Sequence, residues 1–198
     1  MKKLMMIAAM MVATLTASAQ QPVGSLSVTP KVGFNLATMT SEDDASMKFG
    51  LVAGADLTYQ VAQPFAVSVG AFYSMQGAKA DEKYNGVKVD ETASLDYINI
   101  PVMANYYVMP GLAIKAGIQA GLNVKHEGKV EADGNSVTSD LQHVNTVDFS
   151  IPLGASYEFS NFVIDARYNL GLTKIYDVSG VTSKNSVIQV TLGYKIPL

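Results

Sequence analysis

Residues 162–174 alternate without a break. Phe162, Ile164, Ala166, Tyr168, Leu170 and Leu172 share one parity, and Val163, Asp165, Arg167, Asn169, Gly171 and Thr173 share the other. A repeat of two sends successive side chains to opposite faces of a β-strand. The same division recurs at 26–38, 48–60, 65–77, 93–107, 112–125, 146–159 and 186–198. Each segment exceeds the roughly 9–11 residues that a tilted transmembrane strand needs. The pattern predicts an all-β fold, an eight-stranded antiparallel up-and-down transmembrane β-barrel.

The faces decide which side meets lipid. One parity is apolar throughout: Leu51, Ala53, Ala55, Leu57 and Tyr59; Leu112, Ile114, Ala116, Ile118, Ala120 and Leu122; Ile188, Val190, Leu192, Tyr194, Ile196 and Leu198. Lys and Arg are missing from it, as lipid contact requires, because either would cost about 2–4 kcal/mol at mid-membrane. The other parity carries Lys31, Asp56, Lys115, Asp148, Glu158, Asp165, Arg167 and Lys195, interspersed with Gly33, Gly54, Gly70, Gly117, Gly121, Gly154, Gly171 and Gly193. A soluble barrel turned the other way would show water a face of Gly, Ser and Asn with few charges. An eight-stranded barrel has an interior just wide enough for side chains, so inward glycines make room for the long ones. Asp96 is an exception with lipid-facing parity near the rim.

Connections alternate in length. Val61–Pro64, Met109–Gly111 and Ser160–Asn161 are tight turns built from turn-forming residues, whereas 39–47, 78–92, 126–145 and 175–185 are long and polar. Outer-membrane barrels have short periplasmic turns and long outer loops, which places both termini in the periplasm. Tyr59, Phe65, Tyr106, Tyr157, Phe159, Phe162 and Tyr194 fall near the short turns, and Phe34, Phe49, Tyr73 and Tyr176 toward the long loops. These are the expected interfacial girdles. Pro101 and Pro152 each remove a ladder donor inside a strand, and β-bulges are expected there.

At the N-terminus, Lys2 and Lys3 precede a mostly apolar run from Leu4 to Leu15 and the small-x-small site Ala17-Ser18-Ala19. This predicts a signal peptide over 1–19 and a barrel domain over 20–198. Its removal takes the formal charge from −3 to −5 through the loss of two lysines. An acidic chain without a basic patch gives no footprint for nucleic acid, and the absence of Cys excludes disulfides and thiolate metal sites. No cofactor is expected. The run Glu42-Asp43-Asp44 lacks the ligand spacing of a calcium loop.

Several motifs, in order along the chain, carry a resemblance. They are Val32-Gly33-Phe34-Asn35-Leu36, Leu95-Asp96-Tyr97-Ile98-Asn99-Ile100-Pro101, Arg167-Tyr168-Asn169-Leu170-Gly171-Leu172, and Val190-Thr191-Leu192-Gly193-Tyr194-Lys195-Ile196. The chain resembles the Bacteroidetes outer-membrane β-barrel family that includes PorT-like proteins. The resemblance implies residence in the outer membrane, with its lipid and the barrel-insertion machinery as partners. The end Ile196-Pro197-Leu198 departs from the terminal aromatic residue frequent in such barrels.

Four bases and four acids share the lumen parity, and their balance predicts pairing. Neighbouring strands would allow a chain Asp56–Lys31–Lys195–Asp165 braced by Arg167. We read this network as a plug, with an ion or small-solute path as the alternative. A lipid-modifying enzyme would need a rigidly placed base, and the two histidines, His126 and His143, lie in or beside a long loop near Ser136, Ser139, Asp133 and Asp140. The expectation is a non-catalytic barrel whose outer loops serve envelope support or recognition of an extracellular or envelope protein.

Overall fold

The computed structural model of the chain describes residues 21–40, 46–84, 87–132, 135–176 and 183–198. The expected signal peptide, the acidic run at 42–44 and Asp133 lie outside these residues. The strands are β1 (Leu26–Met39), β2 (Ser46–Ala62), β3 (Phe65–Tyr84), β4 (Val87–Met109), β5 (Leu112–Ala132), β6 (Asn135–Asp140), β7 (Val147–Phe159), β8 (Phe162–Gly171), β9 (Asn185–Tyr194) and the short β10 (Ile196–Pro197). Neighbours run β1-β2-β3-β4-β5-β7-β8-β9, all antiparallel, and β9 returns to pair with β1. The ring is closed and matches the eight strands read from the alternation. β10 continues the course of β9 along β1, with Ser27 opposite Pro197.

Parity sets the faces as predicted. Along β8, Val163, Asp165, Arg167, Asn169 and Gly171 are buried while Phe162, Ile164, Ala166, Tyr168 and Leu170 are exposed. Ile118, midway along β5, is 69% exposed. A broad band of exposed apolar side chains therefore encircles a polar interior, the inverse of a water-soluble core. Aromatics meet at both rims: the rings of Phe162 and Tyr194 pack edge to face at 5.4 Å near the short turns, and Phe34 stacks on Phe49 at 5.8 Å toward the long loops.

The prolines behave differently from expectation. No register shift occurs at either one: Val69–Val102 and Phe72–Asn99 keep one register across Pro101, and Ala116–Leu153 and Gln119–Ser150 keep one across Pro152. In each case the two intervening pairings on one side of the proline are lost instead. The retained register puts Gly70 opposite Pro101 and Gly117 opposite Pro152. A missing donor thus interrupts one ladder locally, and the opposite ladder of each proline runs on unbroken through Pro101–Gln119 and Pro152–Asn169. The shifts in β4 against β5 lie instead at Asp96/Tyr97 and at Tyr107/Met109, beside the short turn. At the first of these Asp96 is covered and accepts a hydrogen bond from the Tyr73 hydroxyl at 2.6 Å, which relieves its lipid-side parity.

Two of the expected long loops are largely sheet. β3 and β4 pair up to Tyr84–Val87, β4 and β5 up to Val89–Ala132, and β5 and β6 from Glu127–Asp140 to Ala132–Asn135. The β5–β7 ladder stops at Leu122–Val147. A four-stranded sheet, β3-β4-β5-β6, therefore extends beyond the rest of the wall.

At the other end, Ser160 occupies the Phe159–Phe162 hairpin with a φ of 54°, a conformation that disfavours any residue with a Cβ. Ser160→Gly should stabilise the barrel by about 0.5–1 kcal/mol, read as a higher urea midpoint for loss of the heat-modifiable band.

Candidate functional site

The lumen is filled by side chains in layers, many of them paired. At the short-turn end, Lys195 donates to Glu158, and the Tyr107 hydroxyl donates to the other Glu158 oxygen at 2.8 Å. The next layer gathers on Asp165. Its carboxylate accepts from Lys31 Nζ at 3.0 Å, from Lys115 Nζ, and from Arg167 Nε and Nη2 at 2.9 and 3.1 Å. Lys31 also donates to Asp56 at 2.7 Å, and Arg167 Nη2 lies 3.7 Å from the same Asp56 oxygen. All five side chains are almost fully buried. The Arg167 guanidinium also sits 5.6 Å from the centre of the Phe72 ring, within the range of a cation–π contact.

Glycines create this space. The register places Gly54 and Gly193 on either side of Lys31, Gly70 beside Asp56, and Gly154 between Lys115 and Arg167. A Cβ on Gly70 would stand 2.3 Å from Asp56 Oδ1 and 2.6 Å from the Phe72 ring, and one on Gly193 2.7 Å from Lys31 Cγ. The inward glycines are the volume the long side chains occupy.

The expected order of ion pairs is corrected in one respect. Lys195 does not stand between Lys31 and Asp165. The register puts Lys31 opposite Gly193, so Lys195 lies two residues nearer the short turns and reaches Glu158. Strand order alone made them neighbours, whereas stagger around a tilted barrel decides which tips meet. Asp148 also departs from the cation–carboxylate pattern. It accepts hydrogen bonds from Thr173 and, at 3.0 Å, from Asn185 Nδ2, and no cation pairs with it among the described residues.

Above the charges lie neutral amide–hydroxyl pairs, Asn35 with Ser74 at 2.8 Å and Gln119 with Ser150 at 3.1 Å. The interior then turns apolar. Met39, Ala78, Leu95, Tyr97 and Ile175 form a buried cluster at the long-loop end, with Leu141, Val144 and Tyr176 packed on it. A bridge between Val144 and Tyr176 and a bond from Asn145 N to Ile175 O at 2.8 Å pin this cap. Tyr176, expected in the outer girdle, belongs to the cap instead. The signal was present in sequence as the inward parity of Leu95 and Tyr97, but the inward placement of Ile175 comes from a loop and follows no period.

Two cavities bear on this interior. One of about 20 Å³ lies between the charged layers, lined by Lys31, Asp56, Asn105, Tyr107, Lys115 and Glu158 among others, and is enough for about one water. The other, about 260 Å³, sits at the foot of the sheet extension against Ala78, Ala93, Gly128, Ser139, Leu141 and Tyr176. The histidines are not assembled into a catalytic set. His126 Nδ1 is bonded to Asn123 Oδ1 at 3.0 Å, and His143 occupies a left-handed turn with φ 59°. No metal-binding cluster of His, Asp and Glu occurs among the described residues.

Because Asp165 pairs with three cations, Asp165→Asn should cost about 3–5 kcal/mol through the charges left without it. Asp148→Asn, whose partners are neutral, should cost no more than about 1 kcal/mol. Urea unfolding of both variants in the same detergent checks the contrast.

No curated protein matches the chain. Among solved structures, Ail, the attachment invasion locus protein of Yersinia pestis, aligns at 16% identity over 88% of this chain and 100% of that one, with a TM-score of 0.47. Neisserial surface protein A aligns at 14% identity over 86% and 96%, with a TM-score of 0.45. The family described as outer membrane protein beta-barrel domain matches residues 18–177. With most of its length matched and its ring closed as described, the chain belongs to the outer membrane protein beta-barrel domain family.

Proposed function

We propose that this protein is a non-catalytic outer-membrane barrel that does not conduct, and that it acts through the sheet extension and loops at its long-loop end. The observation that carries this reading is the occupied lumen. Charged pairs on Asp165 and Glu158, amide pairs above them and the Leu95–Tyr97–Ile175 cluster follow one another along the axis. A conducting path needs a continuous polar channel, and here a cavity of about 20 Å³ is the space left between the charged layers. The eight lumen charges then serve to fill and fix a narrow barrel.

The cross-section gives the extension its role. A closed wall that neither transports nor binds within leaves the surface beyond it as the working part, since loops on a rigid scaffold are where recognition is commonly placed. The orientation we adopt sets the termini and short turns in the periplasm and the extension outside the cell, following the general asymmetry of turn and loop lengths. Export depends on the signal peptide read over 1–19, and insertion on the barrel-insertion machinery. We further place the chain with the PorT-like Bacteroidetes barrels on Leu95–Pro101 and Arg167–Leu172.

Planar-bilayer recording of the purified, heat-modifiable barrel should show no steady channel steps in 1 M KCl. Sustained conductance of the wild type would instead establish the alternative, a small-solute or ion pore lined by Lys31, Asp56, Lys115 and Arg167.

A further inference from the structure

Beyond the rim, among the described residues, the sheet ends in a strand paired on one side. β6 pairs only with β5 among the described residues, and all six of its residues are exposed. Its pairing shows which groups are open. Ala132 and Asn135 close the hairpin, so they exchange hydrogen bonds with each other. Bonded and non-bonded pairs then alternate: Val137 and Ser139 bond to β5, while Ser136, Thr138 and Asp140 turn their N–H and C=O groups outward. Three residues thus present a regular row of backbone donors and acceptors.

Natural edge strands are usually blunted by charge, proline or a bulge. The opposite edge of the same extension follows that rule, since residues 80–84 of β3 read Ala-Asp-Glu-Lys-Tyr. β6 reads Asn-Ser-Val-Thr-Ser-Asp, without Lys, Pro or a register shift. Its inner face is apolar where it meets β5: Val130 and Val137 stand opposite each other at 43% and 69% exposure. On the outer face Asp140 is opposite Glu127; Lys125 pairs with Glu127 at 2.9 Å, so Asp140 is the carboxylate that a cation on an added strand would meet.

We propose that the free edge of β6 is the docking site for an extended segment of a partner polypeptide, which adds as an antiparallel strand beside Ser136–Asp140. This rests on the reading that the extension faces outward and serves recognition. The segment places small apolar side chains inward against Val137 and a Lys or Arg outward beside Asp140. Main-chain bonds supply the attachment, and these alternate positions supply the selectivity, as in strand addition generally. A second copy in the same membrane does not fit. An axis along the membrane normal leaves two copies of a strand tilted about 35–45° crossing rather than antiparallel.

The probe is an acetylated, amidated hexapeptide, Lys-Val-Thr-Val-Thr-Asn, added at millimolar concentration to the full barrel in micelles. Amide exchange at Ser136, Thr138 and Asp140 should slow by about tenfold at saturation, with the amides of β7, β8 and β9 unchanged. Thr138→Pro removes an outward donor without touching a bond to β5, and should abolish the slowing while the barrel stays heat-modifiable. A probe with Asp in place of Lys should bind more weakly. No slowing at the three amides, or slowing that survives Thr138→Pro, overturns the edge site and leaves the recognition reading standing. That reading fails separately if Ser136→Cys, in a chain with no other Cys, is not labelled by a membrane-impermeant maleimide on intact cells.

Discussion

Closure of β9 onto β1 is the constraint on which everything else rests. In lipid no water is present to satisfy backbone groups, so a sheet spans a membrane only when its last strand pairs with its first. Nine residue pairs from Lys31–Gly193 to Met39–Asn185 perform that closure here. Eight strands closed in this way leave little interior. The narrow lumen then dictates its contents. Glycine on an adjacent strand gives long side chains room, as Gly193 and Gly54 do for Lys31. Most of the charges enter in contact with opposite ones, and Lys31, Lys115 and Arg167 converge on the Asp165 carboxylate.

The filled lumen and the extension are linked by the Leu95–Tyr97 region. Below it the wall is a complete ring. Above it the pairing continues on one side through β3, β4, β5 and β6. The Asp96/Tyr97 shift against Asn123 and Lys125 lies at this boundary, and a bulge of that kind bends and twists the strands that carry it. The apolar cap closes the mouth at the same level, so the transition from barrel to free-standing sheet coincides with the end of the polar interior.

Much of this was legible in order of residues. The strict alternation of Phe162 to Gly171 fixed which faces meet lipid, because a period of two leaves no freedom once one face is apolar. Glycines on the inward parity announced a crowded interior. The tight turns at Pro64, Gly111 and Ser160–Asn161 were readable from their residue types. Polar sequence conceals ladders in the expected loops: residues 78–84 and 126–132 are largely charged and hydrophilic, yet they pair, since backbone hydrogen bonds carry a ladder without an apolar stripe on both faces. The prolines misled for a related reason. A lost donor signals a bulge only if the register must yield, and here the flanking ladders on both sides held it.

The amino-acid sequence by itself determined the class of wall, its number of strands, its two faces and the residues that fill it, because hydrophobic alternation and turn chemistry act locally. Only the tertiary structure decided which filling residues meet. Lys195 with Glu158 rather than Asp165, Asp148 bonded to Thr173 and Asn185, Tyr176 in the cap and, among the described residues, β6 paired on one side only all follow from stagger and closure. Those are properties of eight strands arranged around one axis, and no single strand contains them.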